Sequence, residues 1–341
     1  MSSLVVQTSF LGDVVLTTPL IAELAKRGPV DVLTTPEGTT ILRNNPDIRE
    51  LMVYDRREKD RGASGFMRIS GLLRKGKYDT AYLAQGSLRS ALLVASSGIA
   101  SRVGFNTSEG KRLYTEKVEY RADRHHAERL WWLAMSSCAD PPESAQIMPR
   151  LYPSHGDDRA SETLLHERLY DTRRDFVVLA PGSAWGTKRW PFFPELAVKI
   201  AEQCNVVVVG GNSEAAIGDT IVSQLPEGCG ANAAGALGIL AAAALIGRAA
   251  ALVGNDSAPQ HLASAMNTPT ITIFGPTVPE FGFGPMAHGS VIAGIDSLAC
   301  RPCDRHGPQH CPLGHWRCMR EVSSSDVFGL LTRTLSYRAS A

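Results

Sequence analysis

Short apolar runs alternate with helix-period segments along this chain, and after about 150 residues the alternation starts again. Residues 4–6, 30–33, 51–54 and 80–83 read as buried strands. A helix patterned on Val14, Val15, Leu16, Leu20, Ile21 and Leu24 follows the first strand and stops near Gly28-Pro29. A charged, Gly-containing loop over 56–68 leads into a helix expected at 66–74. Residues 151–174 are polar, with one short helical pattern on Leu164, Leu165 and Leu169, and read as linker plus first helix of a second domain. Strands are then expected at 176–179, 206–209, 251–253 and 270–274, with helices at 194–203, 237–248 and 257–265 between them. Strands that alternate with helices predict parallel sheets covered on both faces. The expectation is therefore α/β, two doubly wound domains over 1–155 and 156–341, facing each other across a cleft that must close for any reaction needing both. A chain of 341 residues suits two such cores.

Composition removes several other classes. With 44% hydrophobic and 20% charged residues the chain is globular. A net charge of +1 argues against a nucleic-acid binder. Residues 1–150 hold 21 Lys/Arg against 17 Asp/Glu, and the rest 14 against 17, so the front half is mildly basic. The longest apolar stretch, 231–253, is broken by Gly235, Gly238, Gly247 and Arg248, short of the roughly 18 apolar residues of a membrane span. The N-terminus lacks the charged start of a signal peptide, so a cytoplasmic location is expected.

Four segments carry chemistry. Gly12-Asp13 lies at the first strand-to-helix turn; there a carboxylate serves either as a helix N-cap or as a general base toward a hydroxyl. Residues 181–191 (PGSAWGTKRWP) combine small residues, hydroxyls, Lys188 and Arg189, a set suited to a diphosphate, although the P-loop spacing is absent. Read blandly, the same segment is a long surface connection. Residues 255–261 (NDSAPQH) open a helix whose amides would attract an anion; His261 is either turned toward that site or a buried structural residue. Cys300, Cys303, Cys311 and Cys318 form a late cluster beside His306, His310 and His315. Four thiolates would hold a structural zinc tetrahedrally; free thiols and a disulfide are the other readings.

Taken in order, the segments resemble glycosyltransferase family 9, the ADP-heptose:lipopolysaccharide heptosyltransferases. The resemblance runs through GDVVLTTP (12–19), QGSLRSAL (85–92), RVGF (102–105), PGS (181–183), KRWP (188–191), NDS (255–257), HLA (261–263) and FGPT (274–277). CPLGH (311–315) is more similar to the heptosyltransferase II branch. It implies a GT-B fold of two Rossmann-like domains, the first taking the acceptor and the second the ADP-sugar. It implies an inverting transfer of heptose from ADP-heptose to the lipopolysaccharide inner core, with no cofactor needed for the chemistry. Asp13 matches the family's general base and Lys188 its phosphate-binding lysine. Ser183, Ala184, Arg189, Asp256, Ser257, Ala258 and His261 fall at donor positions, and Glu214 is a looser candidate for the ribose. Ala184 stands where a hydroxyl is common and Ala258 where Gly is, which removes a hydrogen bond at one and adds a methyl group at the other. Ser9, Gly12, Arg56, Arg57 and Arg89, with Lys59, Arg61 and Arg102 nearby, would meet an anionic acceptor or the inner membrane surface. Two other readings keep the fold. One is the same chemistry with a different nucleotide sugar or surface-glycan acceptor; the other is a non-catalytic nucleotide-binding module.

Overall fold

A computed structural model describes residues 1–135 and 139–340, with side chains described to residue 337. It divides into two compact units, Met1–Tyr152 and Pro153–Ala341.

The first unit is a six-stranded parallel sheet. Its strands are β1 (Ser3–Gln7), β2 (Val30–Thr34), β3 (Glu50–Val53), β4 (Thr80–Leu83), β5 (Ser101–Phe105) and β6 (Glu116–Val118), in the order β3-β2-β1-β4-β5-β6. Every residue of β1, β2 and β4 is buried, as expected of central strands covered on both faces. The helices are α1 (Leu11–Leu16), α2 (Thr18–Ala25), α3 (Pro36–Leu42), α4 (Gly62–Lys75), α5 (Leu88–Ser96), α6 (His126–Trp131) and α7 (Ser144–Ile147). The single helix expected after β1 is two. The break falls at Thr17, ahead of Pro19, whose missing N–H cannot continue a hydrogen-bond ladder but fits the first turn of a new helix.

The second unit repeats the plan with β7 (Phe176–Ala180), β8 (Asn205–Val208), β9 (Gly230–Asn232), β10 (Ala251–Asn255), β11 (Thr270–Phe274) and β12 (Val291–Gly294), ordered β12-β11-β10-β7-β8-β9 and parallel throughout. Its helices are α8 (His155–Arg168), α9 (Phe193–Ala201), α10 (Ala215–Val222), α11 (Ile239–Arg248), α12 (Ala258–Ala265), α13 (Arg317–Arg320) and α14 (Ser324–Ser340). The polar stretch read as linker plus first helix holds the 14-residue α8, which runs well beyond the short pattern on Leu164, Leu165 and Leu169. Ser154 and Asp157 cap it reciprocally: the Ser154 hydroxyl accepts from the Asp157 amide, and the Asp157 carboxylate accepts from the Ser154 amide. Strand order reverses between β1 and β4 in the first unit and between β7 and β10 in the second. In open α/β sheets such reversals splay the following loops apart and leave room for a ligand.

Candidate functional site

At the reversal of the first unit, the loops after β1 and β4 are tied to each other. Gln85 Nε2 donates to Thr8 Oγ1 at 2.5 Å and to Ser90 Oγ at 2.6 Å. Gln7 accepts from the Ser9 amide at 3.3 Å and donates to Thr17 Oγ1 at 3.1 Å, and Thr17 donates to the Asp13 carbonyl at 2.7 Å. These bonds fix the turn that carries Gly12 and Asp13. Phe10, not Asp13, is the residue that precedes α1, and Asp13 lies in the helix's first turn. Its carboxylate accepts the Ser9 hydroxyl at 2.5 Å. The N-cap reading of Asp13 therefore fails. The side chain is 19% exposed, enough for a substrate hydroxyl to reach it, and His126 Nε2 stands 3.8 Å from its Oδ1.

The basic residues of this unit separate into two kinds. Arg56, Arg57, Lys59 and Arg61 are exposed. Their loop is anchored by buried Asp60, whose carboxylate accepts from the Asp55 amide at 2.9 Å and from Arg68 Nε at 2.8 Å. Arg89, by contrast, donates to the hydroxyl of buried Tyr54 at 2.9 Å. Arg102 donates to the carbonyls of Leu113, Ile99 and Ala100 at 2.6–3.0 Å, so it braces the chain around β5.

The reversal of the second unit gathers most of the residues expected to hold a donor. Lys188 Nζ donates to Asp256 Oδ2 at 2.5 Å and to the Asp256 carbonyl at 3.3 Å. Both side chains are about nine-tenths buried. The Asp256 carboxylate also accepts Thr277 Oγ1 at 2.7 Å and Gln260 Nε2 at 2.8 Å, so three partners satisfy a charge that would otherwise be costly to bury. Asn255, fully buried, donates to the Pro181 carbonyl at 2.8 Å and accepts from the Trp190 amide at 3.2 Å, clamping the 181–191 loop to the end of β10. Within that loop Ser183 Oγ accepts from the Trp185 amide and Arg189 Nε donates to the Ser183 carbonyl. Ser257 precedes α12 and turns its hydroxyl toward the Gly182 and Asn255 carbonyls, leaving Ala258 as the first helical residue. Glu214 reaches the same loop: a Cβ added to Gly182 would meet its Cγ at 2.6 Å, so glycine is what lets this carboxylate side chain lie there. His261 is buried one turn along α12 with its ring toward Phe283.

The cysteine segment packs on this loop. Gln309 brackets it, accepting from the Gly186 amide at 3.0 Å and donating to the Ala184 carbonyl at 2.9 Å. Thr187 bonds the Pro308 carbonyl, and His306 stacks on Trp185 at 5.9 Å. The zinc expected from Cys300, Cys303, Cys311 and Cys318 meets a different arrangement. Among the described residues no three His, Cys, Asp or Glu side chains are grouped to hold a metal ion, and the four thiols are unpaired. Cys318 is the reason on one side, since α13 buries it in the apolar core of the second unit, where burial and the neighbouring thiols push its pKa up to about 11. Cys303 is likewise raised by burial and by Cys300 and Cys311, and donates to the Cys300 carbonyl. Cys311 differs. Burial opposes its ionisation, but the amides of Trp316, Leu313, His315 and Gly314 outweigh that and hold its thiol below the ordinary range. Cys204 and Cys229 are also free thiols, and Cys138 lies outside the described residues.

The model of glycosyltransferase family 9 (heptosyltransferase) matches residues 66–314. The chain belongs to that family. Lipopolysaccharide heptosyltransferase 2 of Escherichia coli K12 is 26% identical over 305 residues, covering 84% of this chain and 86% of the relative. Among solved structures, E. coli ADP-heptose lps heptosyltransferase II superposes with a TM-score of 0.80 at 24% identity, covering 99% of this chain and all of that one. An E. coli heptosyltransferase solved with ADP gives a TM-score of 0.73 at 18% identity, over 98% and 100% of the two chains. The fold is GT-B, as the motif series implied. Among the described residues no helix is long and apolar enough to cross a membrane.

Proposed function

We propose that this chain is an inverting glycosyltransferase that moves heptose from ADP-heptose to the lipopolysaccharide inner core. The observation that carries the reading is the contrast between the two reversal points. One presents a carboxylate within reach of a substrate hydroxyl, beside the Ser9 hydroxyl and the His126 ring. The other presents a buried cation beside a helix start. A sugar transfer from a nucleotide diphosphate needs one of each: a base for the acceptor and a cation for the leaving group.

In this mechanism Asp13 takes the proton of the acceptor hydroxyl. That oxygen forms a bond to the anomeric carbon, the bond from that carbon to the diphosphate oxygen breaks, and its electron pair leaves on ADP. A single displacement inverts the anomeric centre. Lys188 has three N–H bonds, and two contacts to Asp256 leave one for a phosphate oxygen. Arg189 and the amides at the start of α12 add to the same charge, with Ser183, Ala184, Ser257, Ala258 and His261 around the donor and Glu214 toward the ribose. Ser9 and Gly12 shape the acceptor side. Arg56, Arg57 and Arg89 would meet its phosphates and carboxylates, Arg89 without leaving Tyr54. The exposed basic loop would also rest on the anionic inner face of the inner membrane, where the acceptor's lipid is embedded, which makes this a cytoplasmic, peripheral enzyme. The chemistry above calls on side chains alone. The free thiols of 300–318 leave a structural zinc as a separate question, which metal analysis of the purified protein answers.

Titration calorimetry with ADP, ADP-heptose, UDP and UDP-glucose tests the reading. Binding selective for the adenine compounds is expected. A preference for uridine compounds would keep the fold and discard heptose, and silence toward all four would point to a non-catalytic module or another donor.

A further inference from the structure

We infer that His126 acts through Asp13, holding its carboxylate in place and receiving the proton that Asp13 removes from the acceptor. The inference rests on the reading of Asp13 as the base. The two oxygens of Asp13 face different groups: Oδ2 accepts the Ser9 hydroxyl at 2.5 Å, and Oδ1 faces His126 Nε2 at 3.8 Å. His126 is the first residue of α6 and is 8% exposed, so the ring is held inside the unit beside a carboxylate that is open to substrate.

The helix that carries His126 is rigidly seated. Arg129, 2% exposed, donates to the Arg121 carbonyl at 2.8 Å, the Tyr120 hydroxyl at 2.7 Å and the Ala122 carbonyl at 2.5 Å, binding α6 to the strand of chain that precedes it. His125 Nδ1 caps the helix by accepting from the Ala127 amide. The charged groups on the packed elements are few. Asp13 comes from α1. From α2 come Glu23, Lys26 and Arg27, which pair with one another at 2.6–3.4 Å, and α7 carries no titratable side chain. On α6 itself Glu128 meets Arg124 and Arg129 is committed as above.

The proton's direction follows from ordinary acidities. An imidazole is a stronger base than a carboxylate, so a proton taken up by Asp13 can pass on to a neutral His126. In balance, the acceptor O–H bond breaks and its proton goes to Asp13 Oδ1. The proton then passes to the Nε2 lone pair of neutral His126, which restores the carboxylate, and the imidazolium releases it to water. A separation of 3.8 Å exceeds a hydrogen bond, and contacts of this kind tighten when the substrate is bound.

His126→Gln keeps the size and polarity of the ring and cannot carry the proton. Measured by ADP release, kcat should fall about 10- to 100-fold, while both KM values and ADP affinity stay within about twofold. The sign of the pH dependence follows from the role: His126 must be neutral to receive the proton, so wild-type kcat rises with pH as the ring loses its proton, and the variant loses that limb. A structural role would not move the limb. His126→Asn supplies the same test if the glutamine variant melts early. Wild-type kcat and pH profile in either folded variant, or a loss confined to KM, overturns the inference. Asp13→Asn run alongside separates the two readings: full activity there removes the base itself, whereas an inactive Asp13→Asn beside a wild-type-like His126→Gln removes only His126.

Discussion

The two units share one strand order, yet the contacts at their reversal points are of opposite kinds. In the first, the loops after β1 and β4 are joined by the neutral Gln85–Thr8 hydrogen bond, and the Asp13 carboxylate, which accepts the Ser9 hydroxyl, stays 19% exposed. In the second, the loops after β7 and β10 are joined by the buried Lys188–Asp256 pair with Thr277 and Gln260 around it. The difference suits the roles proposed for the two sites. A base paired to a lysine would lose its basicity, because a nearby cation favours the ionised carboxylate. A buried cation waiting for a diphosphate needs a counter-ion, because an unpaired one would lose its charge or unfold its surroundings.

The sharpest way to break the comparison is to neutralise each site. Asp13→Asn should lower kcat by about 10²- to 10⁴-fold, with ADP affinity unchanged and stability within about 1 kcal/mol of wild type. Calorimetry, steady-state rates and thermal melting read the three quantities, and a fully active variant ends the assignment. Lys188→Ala should behave in the opposite way. It strands Asp256 as a buried charge and costs about 3–5 kcal/mol of stability, and it weakens ADP binding together with turnover. An unchanged melting temperature would mean that the pair is not the brace described above, and an unchanged ADP affinity would take Lys188 out of the phosphate site.

Much of this contrast was readable in the sequence. Central strands announce themselves as apolar runs, and residues 80–83 and 270–274 coincide with β4 and β11. The small and charged residues at 181–191 and 255–261 pointed to the two loops that the Lys188–Asp256 pair joins and that we propose hold the donor, since such residues suit a backbone approached by an anion. The two shortest edge strands, β6 and β9, were not legible. Glu116–Val118 and Gly230–Asn232 are three residues each, too short for any alternation, and are fixed by pairing with β5 and β8. Nor were the braces. Asn255 was read as part of the anion site and clamps the opposite loop; Arg102 was read as a cation for an anionic acceptor or the membrane surface and is spent on three carbonyls. His126 was missed altogether, because 113 residues separate it from Asp13 and only the packing of α6 on α1 brings the two together. The Ser154–Asp157 cap of α8 had its signal in plain view, a Ser followed three residues later by an acid, in a stretch whose polarity suggested a linker.

The smallest expected effect tests whether the second site's order depends on the cysteine segment as well as on the ion pair. Gln309 is exposed, and its side chain bonds the 181–191 loop through the Gly186 amide and the Ala184 carbonyl. Its replacement by Ala removes two hydrogen bonds that water can replace, so the cost to stability should stay below about 1 kcal/mol. The loop itself loses the contacts that hold its backbone in place before the ligand arrives, and a binding site that must order itself binds more weakly. ADP affinity should therefore fall about 3- to 10-fold at an unchanged melting temperature, each lost bond counting for the usual fraction of its strength. The first unit has no such appendage on its Asp13 turn among the described contacts, so the matching measurement there, acceptor KM in Gln309→Ala, should not move. Equal shifts in both would mean that the variant disturbs the whole chain, and an unmoved ADP affinity would reduce the 300–318 segment to a covering for the core beneath it.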